Sequence, residues 1–146
     1  MRALFVLTAV ALLPSRLVCQ QRWEREVAAR LDRAVSAVTA PPRAASVRRT
    51  GTLNSGEAST VPATLVQGTA YAIVAVCDDD CSRLQLTLLT PNGSEIAKER
   101  NSESLPIVHF TPTTTQPYRI RVVMEGCRVN PCWYALGIVP VAKRPS

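Results

Sequence analysis

Tyr71-Ala72-Ile73-Val74-Ala75-Val76-Cys77, then Asp78-Asp79-Asp80, then Cys81-Ser82-Arg83-Leu84-Gln85-Leu86-Thr87-Leu88 is the stretch that decides the architecture. From Arg83 to Leu88 polar and apolar residues alternate, so Leu84, Leu86 and Leu88 share one face of a strand and Arg83, Gln85 and Thr87 the other. Such a strand is wet on one side. Tyr71 to Cys77 reads differently. It is apolar on both faces, Tyr71, Ile73 and Ala75 against Ala72, Val74 and Val76, and residues 133–139 share that character. Something must cover the second side.

Working outward, short segments with turn signals between them predict strands near 47–53, 60–66, 70–77, 83–90, 94–98, 106–111, 117–124 and 133–139. Pro91-Asn92-Gly93 is a strong turn, and Pro112 with Thr113-Thr114-Thr115 forms another connection. Asn92-Gly93-Ser94 also matches the glycosylation acceptor pattern, but Asn-Gly has a direct backbone reason to stand in a turn. In Tyr118 to Val122, Tyr118, Ile120 and Val122 face one way and Arg119 and Arg121 the other. The pattern predicts a mostly β protein, a sandwich or a barrel.

Upstream, Trp23, Val27, Leu31, Val35 and Val38 recur at helical spacing and form one stripe, which predicts an amphipathic helix over 22–38. Ala40-Pro41-Pro42 stops it. This helix is the predicted cover, with Trp23, Val27 and Leu31 packed on Val74 and Val76.

Further upstream, Met1-Arg2 precedes an uninterrupted apolar run from Ala3 to Leu13, broken by Pro14 and Ser15. That is the layout of a secretory signal peptide, with an apolar part too short to span a bilayer. Residues 1–19 are read as the leader, 20–46 as helix and proline linker, 47–140 as the sandwich and 141–146 as a tail. Acylation of Cys19 would need a small residue just before it, and Val18 preceded by Leu17 argues against a lipid anchor there. Without the leader, Lys+Arg falls from 17 to 15 against 11 acids, about +4 in net charge. Only Arg48-Arg49 is contiguous before the tail, so no dense basic run interleaved with aromatics points to nucleic acid.

Four cysteines follow Cys19, in two close pairs, Cys77/Cys81 and Cys127/Cys132. In an exported chain an even count reads as disulfides, and three connectivities exist. Local pairing closes loops worth about 2 kcal/mol each, crossed pairing loops worth about 4 kcal/mol. Stability alone favours crossing. Each pair nevertheless brackets a short polar turn, Asp-Asp-Asp or Arg-Val-Asn-Pro, as a local staple would, and local pairing is expected. A four-cysteine zinc site is the competing account, and an oxidising compartment disfavours it.

Gly51-Thr52-Leu53, Leu65 to Tyr71, Ala75 to Cys81, Leu84-Gln85-Leu86, Pro91-Asn92-Gly93, Tyr118 to Val122, and Cys127 to Cys132 followed by Trp133-Tyr134 occur in order and at fitting spacings. Over about 51–139 they resemble the bacterial pre-peptidase C-terminal domain family, especially its small cysteine-containing exported members. The resemblance implies an antiparallel β-sandwich of jelly-roll type, an accessory module of secreted peptidases or a free-standing exported protein. Relatives in collagenases bind extracellular matrix and calcium. Where the family commonly carries Asp-Leu-Asp-Leu, this chain has Arg83-Leu84-Gln85-Leu86, so calcium does not carry over at those positions.

Asp78, Asp79 and Asp80 remain as candidate calcium ligands, three carboxylates in one loop; the ordinary account of them is a solvated turn tip between the cysteines. Arg83, Arg119 and Arg121 stand on polar strand faces and would form a ligand patch if their strands are neighbours. His109 is the only histidine and has no nucleophile elbow to serve, which leaves it a structural or surface residue. The expectation is a non-catalytic extracytoplasmic module, periplasmic or secreted, without a cofactor, that binds a protein or polysaccharide. The alternative is a structural or accessory subunit assisting a secreted peptidase or other envelope protein.

Overall fold

In the computed structural model, described over residues 16–41, 45–99 and 104–142 with side chains from residue 21, both kinds of predicted strand form. The alternating one is β4, Cys81–Leu89, with Leu84, Leu86 and Leu88 buried. The doubly apolar one is β3, Tyr71–Cys77, buried at every residue. Around them lie α1 (Arg16–Val38), β1 (Val47–Leu53), β2 (Ala58–Leu65), β5 (Glu95–Glu99), β6 (Ile107–Phe110), β7 (Gln116–Cys127) and β8 (Cys132–Pro140).

The strands pair antiparallel in two four-stranded sheets, β1-β8-β3-β6 and β2-β7-β4-β5. Their inner faces share one core, including Leu65, Ile73, Leu86, Ile120, Met124 and Leu136. A second core lies on the far side of the first sheet. There Val27, Leu31 and Val35 of α1 pack with Ala72, Val74, Val76, Ala135 and Val139. The molecule is therefore helix on sheet on sheet, and β3 is apolar on both faces because it is the middle of three layers.

Gly137 on β8 permits this seating. A Cβ there would lie 3.1 Å from Leu31 Cδ1 and 3.2 Å from Ala45 Cβ, so the absent side chain makes room for the helix. Polar contacts fasten the same helix. Arg48 of β1 pairs with Asp32, and the Thr50 hydroxyl donates to Glu24 at 3.0 Å.

Two helix expectations need correction. The helix begins at Arg16, six residues before its predicted start at 22, while residues 1–15 of the predicted leader lie outside the described residues. Trp23 is half-buried and is not part of the cluster on Val74 and Val76; Val35 takes the third place instead. The reason is length. Arg30 already reaches the carbonyl of Cys77, the last residue of β3, and Trp23 lies roughly 10 Å further along the axis. Its ring instead has the Arg22 guanidinium 6.0 Å from its centre. No helix among the described residues is long and apolar enough to cross a membrane.

Candidate functional site

Two regions gather the residues singled out in the sequence. The first is the end of the sandwich where the chain passes between sheets, from β3 to β4 and from β7 back to β8. Cys77 is bonded to Cys81 and Cys127 to Cys132, the local pairing, which leaves no thiolate for zinc. Cys81 and Cys127 are also register partners, so the two staples lie side by side at one end. Arg128 joins the connections, its N–H donating to Asp80 O at 2.8 Å and its guanidinium to Asp79 O.

The three aspartates of this end part company. Asp78 is buried, with Oδ2 accepting the Trp133 N–H at 2.7 Å and Oδ1 making no hydrogen bond to a described residue. Asp79 is exposed and accepts from Arg30 of α1 at 2.6 Å. That carboxylate pushes the Arg30 guanidinium further above its ordinary value, with Glu26 at 2.8 Å adding to the effect. Asp80 lies 4.0 Å from the Arg128 guanidinium. The expectation of a solvated turn tip thus fails for Asp78, because its carboxylate extends the β3–β8 ladder by one bridge.

Asp79 is paired with Arg30 and Asp80 lies beside Arg128, and the described residues gather no group of three or more metal-ligating side chains. At the other family position Arg83 lies 4.0 Å from Glu125, and the Gln85 amide donates to Glu125 at 2.6 Å. Neither set of residues fits calcium.

The second region is the outer face of β2-β7-β4-β5. β4 and β7 are neighbours, so the arginines do share one face, but they do not act alike. Arg83 is matched by Glu125. The side chains of Arg119 and Arg121 make no ion pair or hydrogen bond with described residues. Register adds a residue that the sequence reading missed. Arg121 and Lys98 both lie opposite Thr87, one on each side of it, and Thr87 between them is only 5 % exposed. The turn alone would not have shown it: the hairpin closes at Thr90 and Ser94 with Leu89 opposite Glu95, and a bulge at Leu88/Leu89 then shifts the register by one and brings Lys98 opposite Thr87. The loop itself is closed by its own side chains. The Thr90 hydroxyl donates to Asn92 Oδ1 and accepts from Ser94 N–H at 3.0 Å, and Gly93 supplies φ +93°.

His109 lies on β6 opposite Ala72, exposed and without a hydrogen bond to described residues. It lines a cavity of about 440 Å³ with Val38 and Val141.

No protein-family model and no curated protein matches the chain. Solved structures do. The pre-peptidase C-terminal domain of a collagenase from Bacillus anthracis superposes with a TM-score of 0.52 at 12% identity, covering 64% of this chain and 88% of that one. The fold is that of a pre-peptidase C-terminal domain. Also similar are PliG of Aeromonas hydrophila, a periplasmic inhibitor of g-type lysozyme (TM-score 0.47, 12% identity, 66% of this chain and 88% of that), and AlgX of Pseudomonas aeruginosa (0.49, 14%, 71% and 28%). The pre-peptidase C-terminal fold accounts for the two sheets; the α1 layer was described above from its own contacts.

Proposed function

We propose that the chain is an exported, non-catalytic binding module whose working surface is the open face of β2-β7-β4-β5, with a protein or polysaccharide as ligand. One observation carries the reading. The helix covers one sheet, whereas the other presents Arg119, Arg121 and Lys98 without a counter-ion among the described residues. Two disulfides support a periplasmic or secreted location, since such bonds persist where the environment is oxidising.

The test is capture from envelope and culture-medium fractions with the wild type and with Thr60→Glu/Val123→Glu, two outward positions on this face. Loss of the captured material in the variant is expected. Identical capture by both would remove the face from consideration.

A second reading, an accessory subunit of another exported protein, has its own observation. The Cys127–Cys132 loop is pinned by Arg128 and by Asn130 Oδ1 accepting from Ser55 N–H at 2.9 Å, yet Val129 stands 63 % exposed at its tip. A preordered loop with an apolar tip loses little entropy on docking into a protein pocket. Under that reading Val129→Asp abolishes co-purification of the partner and the open-face variant does not.

A further inference from the structure

We infer that the open sheet docks an acidic polysaccharide through Arg119, Arg121 and Lys98; this rests on the open-face reading and names its ligand class. Arg121 and Lys98 flank Thr87 from the two neighbouring strands, roughly 10 Å apart across two strand spacings. Arg119 is two residues along β7 from Arg121, roughly 7 Å away on the same face. Three like charges held this close, with no counter-ion among the described residues, repel one another and contribute nothing to the fold. They are arranged to meet negative charge from outside.

Arg119 also sits in a groove. Pro62, Pro91, Pro117 and Thr60 line it with the arginine, around a volume of about 410 Å³. The guanidinium extends toward the β4–β5 turn, where a Cβ on Gly93 would lie 3.9 Å from its Nη1. Pyrrolidine rings offer no N–H, so the planar guanidinium fork is the principal donor among apolar walls, suited to a carboxylate or sulfate.

Two features select a sugar polymer over a protein. Peptides dock on sheets chiefly by adding a strand at an edge. Here edge strand β2 carries Pro62, and edge strand β5 pairs through a bulge at Leu88/Leu89. A folded partner wants a deep apolar pocket for an aromatic anchor. This face instead offers the hydroxyls of Thr60 and Thr64 beside its cations, groups that exchange hydrogen bonds with sugar hydroxyls. Among the described residues, the unpaired acid in register with the face is Glu95, opposite Leu89 at the rim.

The full chain is titrated calorimetrically with polygalacturonate, neutral dextran and poly-L-glutamate. Polygalacturonate is expected to bind, more weakly as salt rises. Arg119→Ala/Arg121→Ala/Lys98→Ala should lose about tenfold in affinity, given three exposed charge contacts. Arg83→Ala should bind as the wild type does, and Glu95→Gln more tightly. Equal binding of dextran, tighter binding of poly-L-glutamate, or a triple variant that binds like the wild type would each overturn the inference. If polygalacturonate fails while Thr60→Glu/Val123→Glu still loses the captured material, the ligand class is wrong and the working face stands. If both fail, both readings fall.

Discussion

The Asp78 carboxylate accepts one strand N–H through Oδ2 and buries Oδ1 without a partner, so its two oxygens serve the fold unequally. A charge-assisted hydrogen bond of this kind contributes about 1.5–3 kcal/mol. Asp78→Ala leaves the Trp133 N–H unmatched at a buried position and should lower the unfolding free energy by about that amount. Asp78→Asn keeps the acceptor and should lower it less. Urea denaturation of the two variants decides the matter, and equal losses would mean that volume, not the hydrogen bond, is what the site needs. Because Asp79 and Asp80 face guanidiniums, added calcium should leave the wild-type Tm where it was. Glu57 shows the opposite environment, fully exposed, with Oε2 accepting the Asn54 N–H at 2.8 Å. That bond holds its pKa below the ordinary glutamate value. The sign follows: its contribution is present above the unfolded pKa and is lost as pH falls through the lower, folded one. Glu57→Gln should therefore be less sensitive to acid than the wild type across that window, read from Tm against pH.

Helix α1 is the element on which the layered architecture turns. Leu31 is fully buried and lies over the gap that Gly137 leaves, so Leu31→Ala should cost about 2–5 kcal/mol, and Gly137→Val about 1–3 kcal/mol by overpacking the same place. Removing residues 20–40 should uncover Val74, Val76, Ala135 and Val139 and lead to association, seen as loss of monodispersity in size-exclusion chromatography. Unchanged stability and dispersity after that deletion would mean the helix is not a layer of the fold. Much of this was legible in the residues. The apolar faces of Tyr71 to Cys77 required a cover, and the Val27-Leu31-Val35 stripe is the cover they have. The position of Trp23 was not legible, because a stripe has no end marked in it; the end is set by where β3 stops. The candidate site divides the same way. Alternation put Arg119 and Arg121 on a polar face, but only cross-strand register shows that Glu125 neutralises Arg83 and that Lys98 joins the other two.

At the scale of the whole molecule, both covalent staples and the polar clasp hold one end, where the chain crosses between sheets three times, from β1 to β2, β3 to β4 and β7 to β8. In the chain-entropy model each local loop contributes about 2 kcal/mol, so independent staples would together contribute about 4 kcal/mol. They are not independent. Cys81 lies opposite Cys127, and Arg128 inside one loop bonds to the backbone of Asp79 and Asp80 inside the other. Opening either loop therefore loosens contacts that the second helps to hold, and groups in contact couple by about 0.5–3 kcal/mol. Three variants measure this: Cys77→Ala/Cys81→Ala, Cys127→Ala/Cys132→Ala, and all four together. The fourfold variant should lose less than the two pairs added, because the shared contacts are already lost when the second loop opens. Arg128→Ala should reduce that difference, since it removes the guanidinium bond to Asp79 while the Arg128 N–H bond to Asp80 and both staples stay in place. Strict additivity in urea denaturation, with or without Arg128, would mean that the two loops lie side by side without sharing their stability.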